Sequence, residues 1–210
     1  MPDIDLSVSI NRASRVTFTA GEDRALTLLL KDQNEDLPLD LTGASLAFSL
    51  PRAGGGTIKR RTIGLRLNFG KSQVENGMSV FTANGHGLVS GDGARLAAAA
   101  SFAALPAPFV PDATYIVSVV SEDSFGLLAQ NGDPMGLEAP TAGLASLFVE
   151  DFAITNPLLG TAQLRLGAHV TDACAIGQGL TYQVTHQDIH GLTRFVAGNN
   201  LLDVFSQPCP

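Results

Sequence analysis

The chain has 210 residues, of which 45% are hydrophobic and 16% are charged, and its formal net charge at pH 7 is -7. This acidic balance argues against nucleic-acid binding, which requires clustered Lys and Arg. No apolar run approaches the ~20 residues of a membrane-spanning helix, and the N-terminus lacks the basic and apolar regions of a signal peptide. We therefore expect neither a nucleic acid nor a membrane as partner, and we expect synthesis in the cytoplasm.

Short apolar or alternating runs follow one another along the chain and predict β-strands almost throughout. The first are SVSI, RVTFT and ALTLLLK, separated by the turn signals NRAS and AGED. In the next run, ASLAFSLP, the residues Leu46, Phe48 and Leu50 alternate with small side chains, which is the period of a strand with one buried face. The strands expected after it are TIKRR, YIVSVV, FGLLA, SLFVEDFAI, AQLRLGAHV, TYQVTHQ and TRFVAG. Many short strands with regular turns are typical of an all-β sandwich or barrel.

The middle of the chain differs in composition from its flanks. Residues 72–147 are richer in Ala, Gly and Pro, which predicts a small inserted β domain there and a discontinuous β-sandwich formed by residues 1–71 and 148–210. Insertion at an exposed turn is tolerated because the ends of an inserted domain usually lie close together. Within the insert, the alanine-rich residues 93–105 fit either a short helix or a strand that enters a loop.

The stretch TANGHGLVSGDGARL, residues 82–96, raises the question of a phosphate or metal site. A phosphate loop requires the pattern GxxxxGK[ST] before a helix, and GHGLVSGDG contains no Lys or Arg. We interpret the stretch as two structural turns, in which several glycines, Gly93 among them, supply positive φ and the histidine is a hydrogen-bonded turn residue. The turn residues are Gly85, His86, Gly87, Leu88, Gly91 and Asp92.

No other pattern predicts a catalytic, cofactor or metal site. His186 and His190 stand four apart with Asp188 between them, but the strand pattern places the second histidine in a turn, so the side chains need not converge. No GxSxG nucleophile motif is present, and the absence of Trp argues against a sugar-stacking cleft. The one basic cluster, residues 59–61, is interpreted as a solvated hairpin end in preference to a nucleic-acid patch, and contact with an acidic neighbour is the alternative.

The two cysteines, Cys174 and Cys209, fit neither a zinc spacing nor a CxxC motif. Two free thiols are the leading interpretation, and a disulfide is the alternative. Cys209 lies close to the end of the sequence and could link two chains covalently in oxidising surroundings. We expect the end segments, residues 1–12 and 200–210, to lie along neighbouring subunits.

A series of short motifs runs through residues 83–129. A His-Gly-Leu turn at 86–88 precedes Ser-Gly-Asp at 90–92 and Leu-Pro at 105–106, and a Tyr-Ile-Val strand at 115–117 precedes Asp-x-Phe-x-Leu at 123–127. In this order the motifs resemble a β module common in virion proteins of tailed bacteriophages.

The flanks carry a second set of cues. DLTGA precedes the alternating strand ASLAFSLP, and later a Tyr-x-Val strand, a His-Gly turn and a closing strand follow one another. These segments resemble the N-terminal immunoglobulin-like domain of phage baseplate upper proteins. The resemblance implies an immunoglobulin-like antiparallel β-sandwich for the flanks.

Together the two resemblances imply a structural, non-enzymatic protein of a phage particle, made in the host cytoplasm and located in the virion. The leading hypothesis is a tail-tip, baseplate or fibre-attachment protein that binds other virion proteins and copies of itself, without a cofactor. Two alternatives stay open: a capsid or collar decoration protein, and a carbohydrate-binding module or hydrolase that acts on a host surface polymer. Contact with the host surface is left open as well.

Overall fold

The structure is a computed structural model that describes residues 4–9, 15–31, 37–99, 104–138, 141–149 and 151–206, with the backbone alone for residues 4–9, 15, 194–201 and 203. Within these residues the protein is mostly β, so the all-β prediction is confirmed. The chain divides into two compact units. The outer unit consists of Met1–Thr62 and Asp151–Pro210, and the inserted unit is Ile63–Glu150.

Strands follow one another along the described chain, interrupted by two 3-10 helices, Phe69–Lys71 and Pro157–Leu159, and by one short α-helix, α1 (Ala168–Asp172). In chain order the strands are β1 (Ile4–Ser9), β2 (Arg15–Thr19), β3 (Arg24–Lys31), β4 (Ser45–Pro51), β5 (Thr57–Arg61), β6 (Leu65–Asn68), β7 (Gln73–Glu75), β8 (Met78–Thr82), β9 (Gly93–Ala98), β10 (Thr114–Ser121), β11 (Ser124–Leu128), β12 (Leu144–Val149), β13 (Phe152–Asn156), β14 (Thr161–Leu166), β15 (Gly177–Gln187) and β16 (Thr193–Phe205).

The outer unit contains two sheets. One has the strand order β1-β3-β14-β13, and the other has the order β2-β16-β15-β4-β5. Strand β15 pairs with β4 in a register that places Val184 opposite Phe48, so the runs ASLAFSLP and TYQVTHQ lie side by side in one sheet. The pairing is antiparallel except for β1 with β3 and β2 with β16, which are parallel. This corrects the purely antiparallel sandwich expected from the sequence.

Strands of the outer unit bury every second residue, as the alternation in the sequence predicts. Leu46, Phe48 and Leu50 of β4 are all buried, which confirms the predicted face. Strands β3 and β14 show the same period of two. Tyr182 of β15 stacks on Phe48 with ring centroids 5.1 Å apart. Removal of these side chains from water is the main force that holds the unit together.

The basic cluster of β5 is not a solvated hairpin end. The strand alternates, and Arg60 shares the buried face with Ile58. Its side chain is 0% exposed, and its Nε lies 2.9 Å from Oδ2 of Asp151. A buried guanidinium requires such a partner because an isolated charge in a protein interior is strongly disfavoured. The ion pair joins the strand that precedes the insert to the first residue after it.

Parts of both end segments form strands within the chain. Residues 201–205 pair with β2, and Ile4–Ser9 pairs with β3. Contact of these segments with neighbouring subunits stays a prediction. Residues 1–3, 10–14 and 207–210, including Cys209, lie outside the described residues.

The inserted unit is a seven-stranded antiparallel sheet with the order β6-β12-β9-β10-β11-β8-β7. It begins at residue 63, earlier than the expected 72, because β6 pairs with β12 and not with a strand of the outer unit. Residues 93–98 form strand β9, so the strand alternative holds for that segment. The core of the unit is rich in aromatic residues, which include Phe69, Phe81, Phe109, Tyr115 and Phe125.

Cys174 is a free, buried thiol whose Sγ donates a hydrogen bond to the carbonyl of Val170 at 3.4 Å. Burial raises the pKa of this thiol from 9.0 to about 12, against a smaller opposing effect of the Arg60 charge. Since the thiolate is the reactive form, we expect a Cys209→Ser chain to resist Ellman's reagent at pH 8 and to react once urea unfolds it.

The same shift predicts a dependence of stability on pH. The unfolded chain loses the Cys174 proton near pH 9 and the folded chain only near 12, so the free energy of unfolding falls as the pH rises through that range. A Cys174→Ala chain should lack this part of the alkaline loss when urea titrations at pH 8 and pH 10 are compared. Rapid reaction of the folded Cys174 thiol with Ellman's reagent at pH 8 would contradict the raised pKa.

Candidate functional site

The His-Gly-Leu turn of the inserted unit lies between β8 and β9. Gly85 and Gly87 have φ values of 53° and 67°, which a residue with a Cβ rarely adopts. The N–H of Gly85 donates to Oδ1 of Asp123 at 2.6 Å, and the N–H of Ala83 donates to the backbone oxygen of Asp123 at 2.8 Å. The turn is therefore attached to the β10–β11 hairpin.

His86 is fully buried within this turn, with both ring nitrogens hydrogen-bonded to the backbone. Its Nδ1 accepts from the N–H of Leu88 at 2.9 Å, and its Nε2 lies 3.0 Å from the oxygen of Ser121. An acceptor role at Nδ1 and a carbonyl opposite Nε2 define a neutral ring protonated at Nε2. The ring packs edge-on against Phe125 at a centroid distance of 5.1 Å. This arrangement is that of a structural crosslink and leaves neither nitrogen directed at solvent.

The Ser-Gly-Asp turn attaches the same loop to strand β10. Gly91 has a φ of 97° and donates to the oxygen of Val117 at 2.9 Å. The buried carboxylate of Asp92 accepts from the N–H of Val89 at 2.8 Å, and its backbone oxygen accepts from the N–H of Val117 at 2.8 Å. Ser90 accepts from the N–H of Val119 at 2.9 Å. The two motifs thus close one loop on a hairpin, and Leu88 between them belongs to the core.

Gly93 is the one glycine of this stretch whose expected role is wrong. It begins β9 and is not among the residues with positive φ, and a Cβ added there would meet only Cγ2 of Thr114, at 3.9 Å. The Gly-x-Gly pattern did not distinguish a turn glycine from the first residue of a strand.

Gly87 and Gly93 provide a matched pair for a test. We expect Gly87→Val to lower the free energy of unfolding by about 1–3 kcal/mol, because a β-branched residue is strained at positive φ. Gly93→Ala should change it by less than about 0.5 kcal/mol. Urea denaturation of both variants measures the difference, and equal stabilities would show that the turn tolerates a side chain.

His186, Asp188 and His190 are placed by the β15–β16 hairpin. His186 is a buried residue of β15, whereas His190 is exposed in the turn. Oδ1 of Asp188 accepts from the N–H groups of His190 and Leu192, both at 2.9 Å, so this carboxylate holds the turn. In the described part of the chain, no group of three His, Cys, Asp or Glu residues could hold a metal ion.

A pocket of about 580 Å³ lies in the inserted unit. Among the described residues that line it, Glu138 alone is ionisable and none is aromatic. A sugar site usually combines flat apolar surfaces with several precisely placed polar groups. The lining residues are Pro106, Ala107, Pro108, Gly136, Glu138 and Thr141.

The outer unit exposes large aliphatic side chains on three of its loops, a feature that the sequence analysis missed. The loops are residues 37–44 before β4, 157–160 between β13 and β14, and 188–192 between β15 and β16. We call their exposed aliphatic residues the apolar loop surface: Leu37 (55% exposed), Leu158 (69%), Leu159 (57%), Ile189 (66%) and Leu192 (58%).

Backbone and side-chain contacts join these three loops at one end of the outer unit. The N–H of Leu41 donates to the oxygen of Pro157 at 2.9 Å, which ties the first loop to the second. A Cβ on Gly43 would lie 2.5 Å from Cγ2 of Ile189, so the third loop rests against the first at this glycine. Gly43 has a φ of 68°. The exposed aliphatic residues therefore belong to one cluster of loops.

Each loop is held by a side-chain oxygen that accepts backbone hydrogen bonds. Oδ1 of Asp40 accepts from the N–H of Thr42 at 2.8 Å, and Oδ1 of Asn156 accepts from the N–H of Leu159 at 3.3 Å. Asp188 fills the same role in the third loop. Such turns restrict the backbone of each loop.

No protein-family model and no curated protein sequence matches the chain. None of the described helices is both long and apolar enough to cross a membrane.

Proposed function

We propose that the protein is a structural, non-enzymatic component of a tailed-bacteriophage particle, located at the tail tip, the baseplate or the fibre attachment. In this role it acts through contacts with other virion proteins. The sequence motifs at residues 86–88 and 90–92 motivate the proposal, and the hydrogen bonds of His86 and Asp92 support a structural role for both.

The strand order of the outer unit supports an immunoglobulin-like assignment for its sandwich. Immunoglobulin domains place strands B, E and D in one sheet and C, F and G in the other, and variable-type domains add C′ beside C. The order β3-β14-β13 corresponds to B-E-D, and β16-β15-β4-β5 corresponds to G-F-C-C′. On this assignment β2, parallel to β16, is the strand before B, and the inserted unit lies between C′ and D.

The apolar loop surface is the observation that carries the proposal. Clustered aliphatic residues on a protein surface mark a contact site more often than an accident of composition. In the immunoglobulin-like assignment these loops are B–C, D–E and F–G, which meet at one end of the sandwich, where variable domains bind their ligands. A protein that acts through assembly needs an exposed apolar surface that its partner covers.

Quantitative mass spectrometry of purified particles tests the proposal. In the strain that makes this protein, the chain should band with particles in a density gradient, at a fixed ratio to the major tail protein in every fraction. Antibody labelling should then mark the tail end, whereas label on the head or neck would favour a capsid or collar protein. A chain found only among free proteins would contradict a virion role.

A further inference from the structure

We infer that the apolar loop surface docks a neighbouring chain that presents apolar side chains among Lys or Arg residues, and not a second copy of this protein. This inference names the partner of the contact surface on which the proposed function rests. Three observations carry it: the exposure of the aliphatic residues, the hydrogen bonds that hold their loops, and the sign of the charge in those loops.

The hydrogen bonds within the loops favour binding of a partner. Three side chains, Asp40, Asn156 and Asp188, hold the backbone on which the exposed aliphatic residues stand. Ile189 is also confined by its close approach to Gly43. A surface ordered in advance loses little conformational entropy when it is covered, which strengthens binding for a given contact area. Flexible loops with the same residues would bind more weakly.

The charge of the loops is of one sign. The described loops, residues 37–44, 157–160 and 188–192, contain the acidic residues Asp40 and Asp188 and no Lys or Arg. Hydrogen bonds from the side chain and the backbone N–H of Thr42 lower the pKa of the exposed Asp40, so this carboxylate is ionised at neutral pH. An acidic rim repels a second copy of itself and selects a basic partner.

A defined probe tests the chemistry of the partner with the purified full chain. The probe is a fluorescent peptide of alternating leucine and lysine blocks, and its counterpart replaces every lysine with glutamate. We expect fluorescence anisotropy to detect the lysine peptide only, and sedimentation to show the chain alone as a monomer. Equal binding of both peptides, or a dimer at micromolar concentration, would overturn the inference.

Two double variants distinguish binding at the apolar loop surface from nonspecific hydrophobic binding. Leu158→Ser with Ile189→Ser should weaken lysine-peptide binding about tenfold or more, since hot-spot residues dominate an interface. The matched control, Val110→Ser with Val120→Ser, alters two exposed aliphatic residues of the inserted unit and should leave binding unchanged. Both variants should unfold at the same urea concentration as the parent chain. Equal loss in both, or in neither, contradicts the assignment of the site.

Cysteine labelling in particles tests the same surface where it is proposed to act. In a Cys209→Ser background, Leu158→Cys and Ile189→Cys should react with a maleimide in the free chain and be at least about tenfold slower in the particle. Val110→Cys is the control and should react in both. If the chain is absent from particles, the proposed function fails while the peptide result stands. If it is present with Leu158→Cys and Ile189→Cys equally labelled, the docking inference fails and the virion role stands.

Discussion

Replacement of Asp151 by Ala is expected to destabilise the outer unit by about 3–5 kcal/mol. The substitution leaves the Arg60 guanidinium buried without the carboxylate that lies 2.9 Å from its Nε. Removal of one partner from a buried ion pair costs more than the pair contributes, because the remaining charge stays in a medium that solvates it poorly. The substitution lies at the first residue after the inserted unit. It keeps the backbone hydrogen bond in which the oxygen of residue 151 accepts from the backbone N–H of Arg165 at 2.6 Å.

The tyrosines provide a direct readout of each unit. The chain has two tyrosines and no tryptophan: Tyr182 is buried in the outer unit and Tyr115 in the inserted unit. Incorporation of 3-fluorotyrosine therefore gives one fluorine resonance for each unit, and urea titration follows both in one sample. The Asp151→Ala chain should lose the folded Tyr182 resonance at a clearly lower urea concentration.

The double variant Arg60→Met with Asp151→Leu is the control for charge. Apolar residues of similar volume often replace a buried ion pair without loss of stability, so this chain should recover most of what Asp151→Ala loses. A Tyr182 resonance unaffected by Asp151→Ala would show that the guanidinium is solvated, and the buried ion pair would then be wrong.

Replacement of His86 by Ala is expected to destabilise the inserted unit by about 3–5 kcal/mol. The N–H of Leu88 loses its acceptor and the oxygen of Ser121 loses its contact with Nε2. A cavity opens beside Phe125, whose ring packs against the imidazole. The Tyr115 fluorine resonance should report the loss.

The other turn histidine supplies the comparison. His190 is exposed, and its backbone N–H, not its side chain, donates to Asp188. His190→Ala should therefore change the free energy of unfolding by less than about 0.5 kcal/mol. Equal effects of the two substitutions on the Tyr115 resonance would contradict a structural crosslink at His86.

Much of the fold could be predicted from the sequence because strand alternation and turn glycines depend only on residues close together in the chain. The alternation of Leu46, Phe48 and Leu50 identifies a strand with one buried face, and β4 buries those three residues. Glycines at 85, 87 and 91 were expected at positive φ, and each has it. The alanine-rich residues 93–105 were ambiguous because alanine favours helices, yet pairing with β10 and β12 draws 93–98 into a sheet.

Features that depend on residues distant in sequence could not be predicted in this way. Arg60 stands in a run of three basic residues, which resembles a solvated end, and only the fold brings Asp151 to it. The apolar loop surface was missed for the same reason. The segments DLPLDL, NPLLG and DIHGL each contribute one or two exposed aliphatic residues. In a single loop such residues are ordinary, and they form a surface only because the fold brings the three loops together.

A particle reconstruction by electron cryomicroscopy is the decisive test of the proposed virion role. We expect density at the tail end into which the outer unit fits with its strand order β2-β16-β15-β4-β5. Leu158 and Ile189 should there contact a different chain whose adjoining residues include Lys or Arg. The virion role would be contradicted by a complete map of the tail, neck and head in which other chains account for all density. Mass spectrometry of the same particles would then also find no copy of this chain.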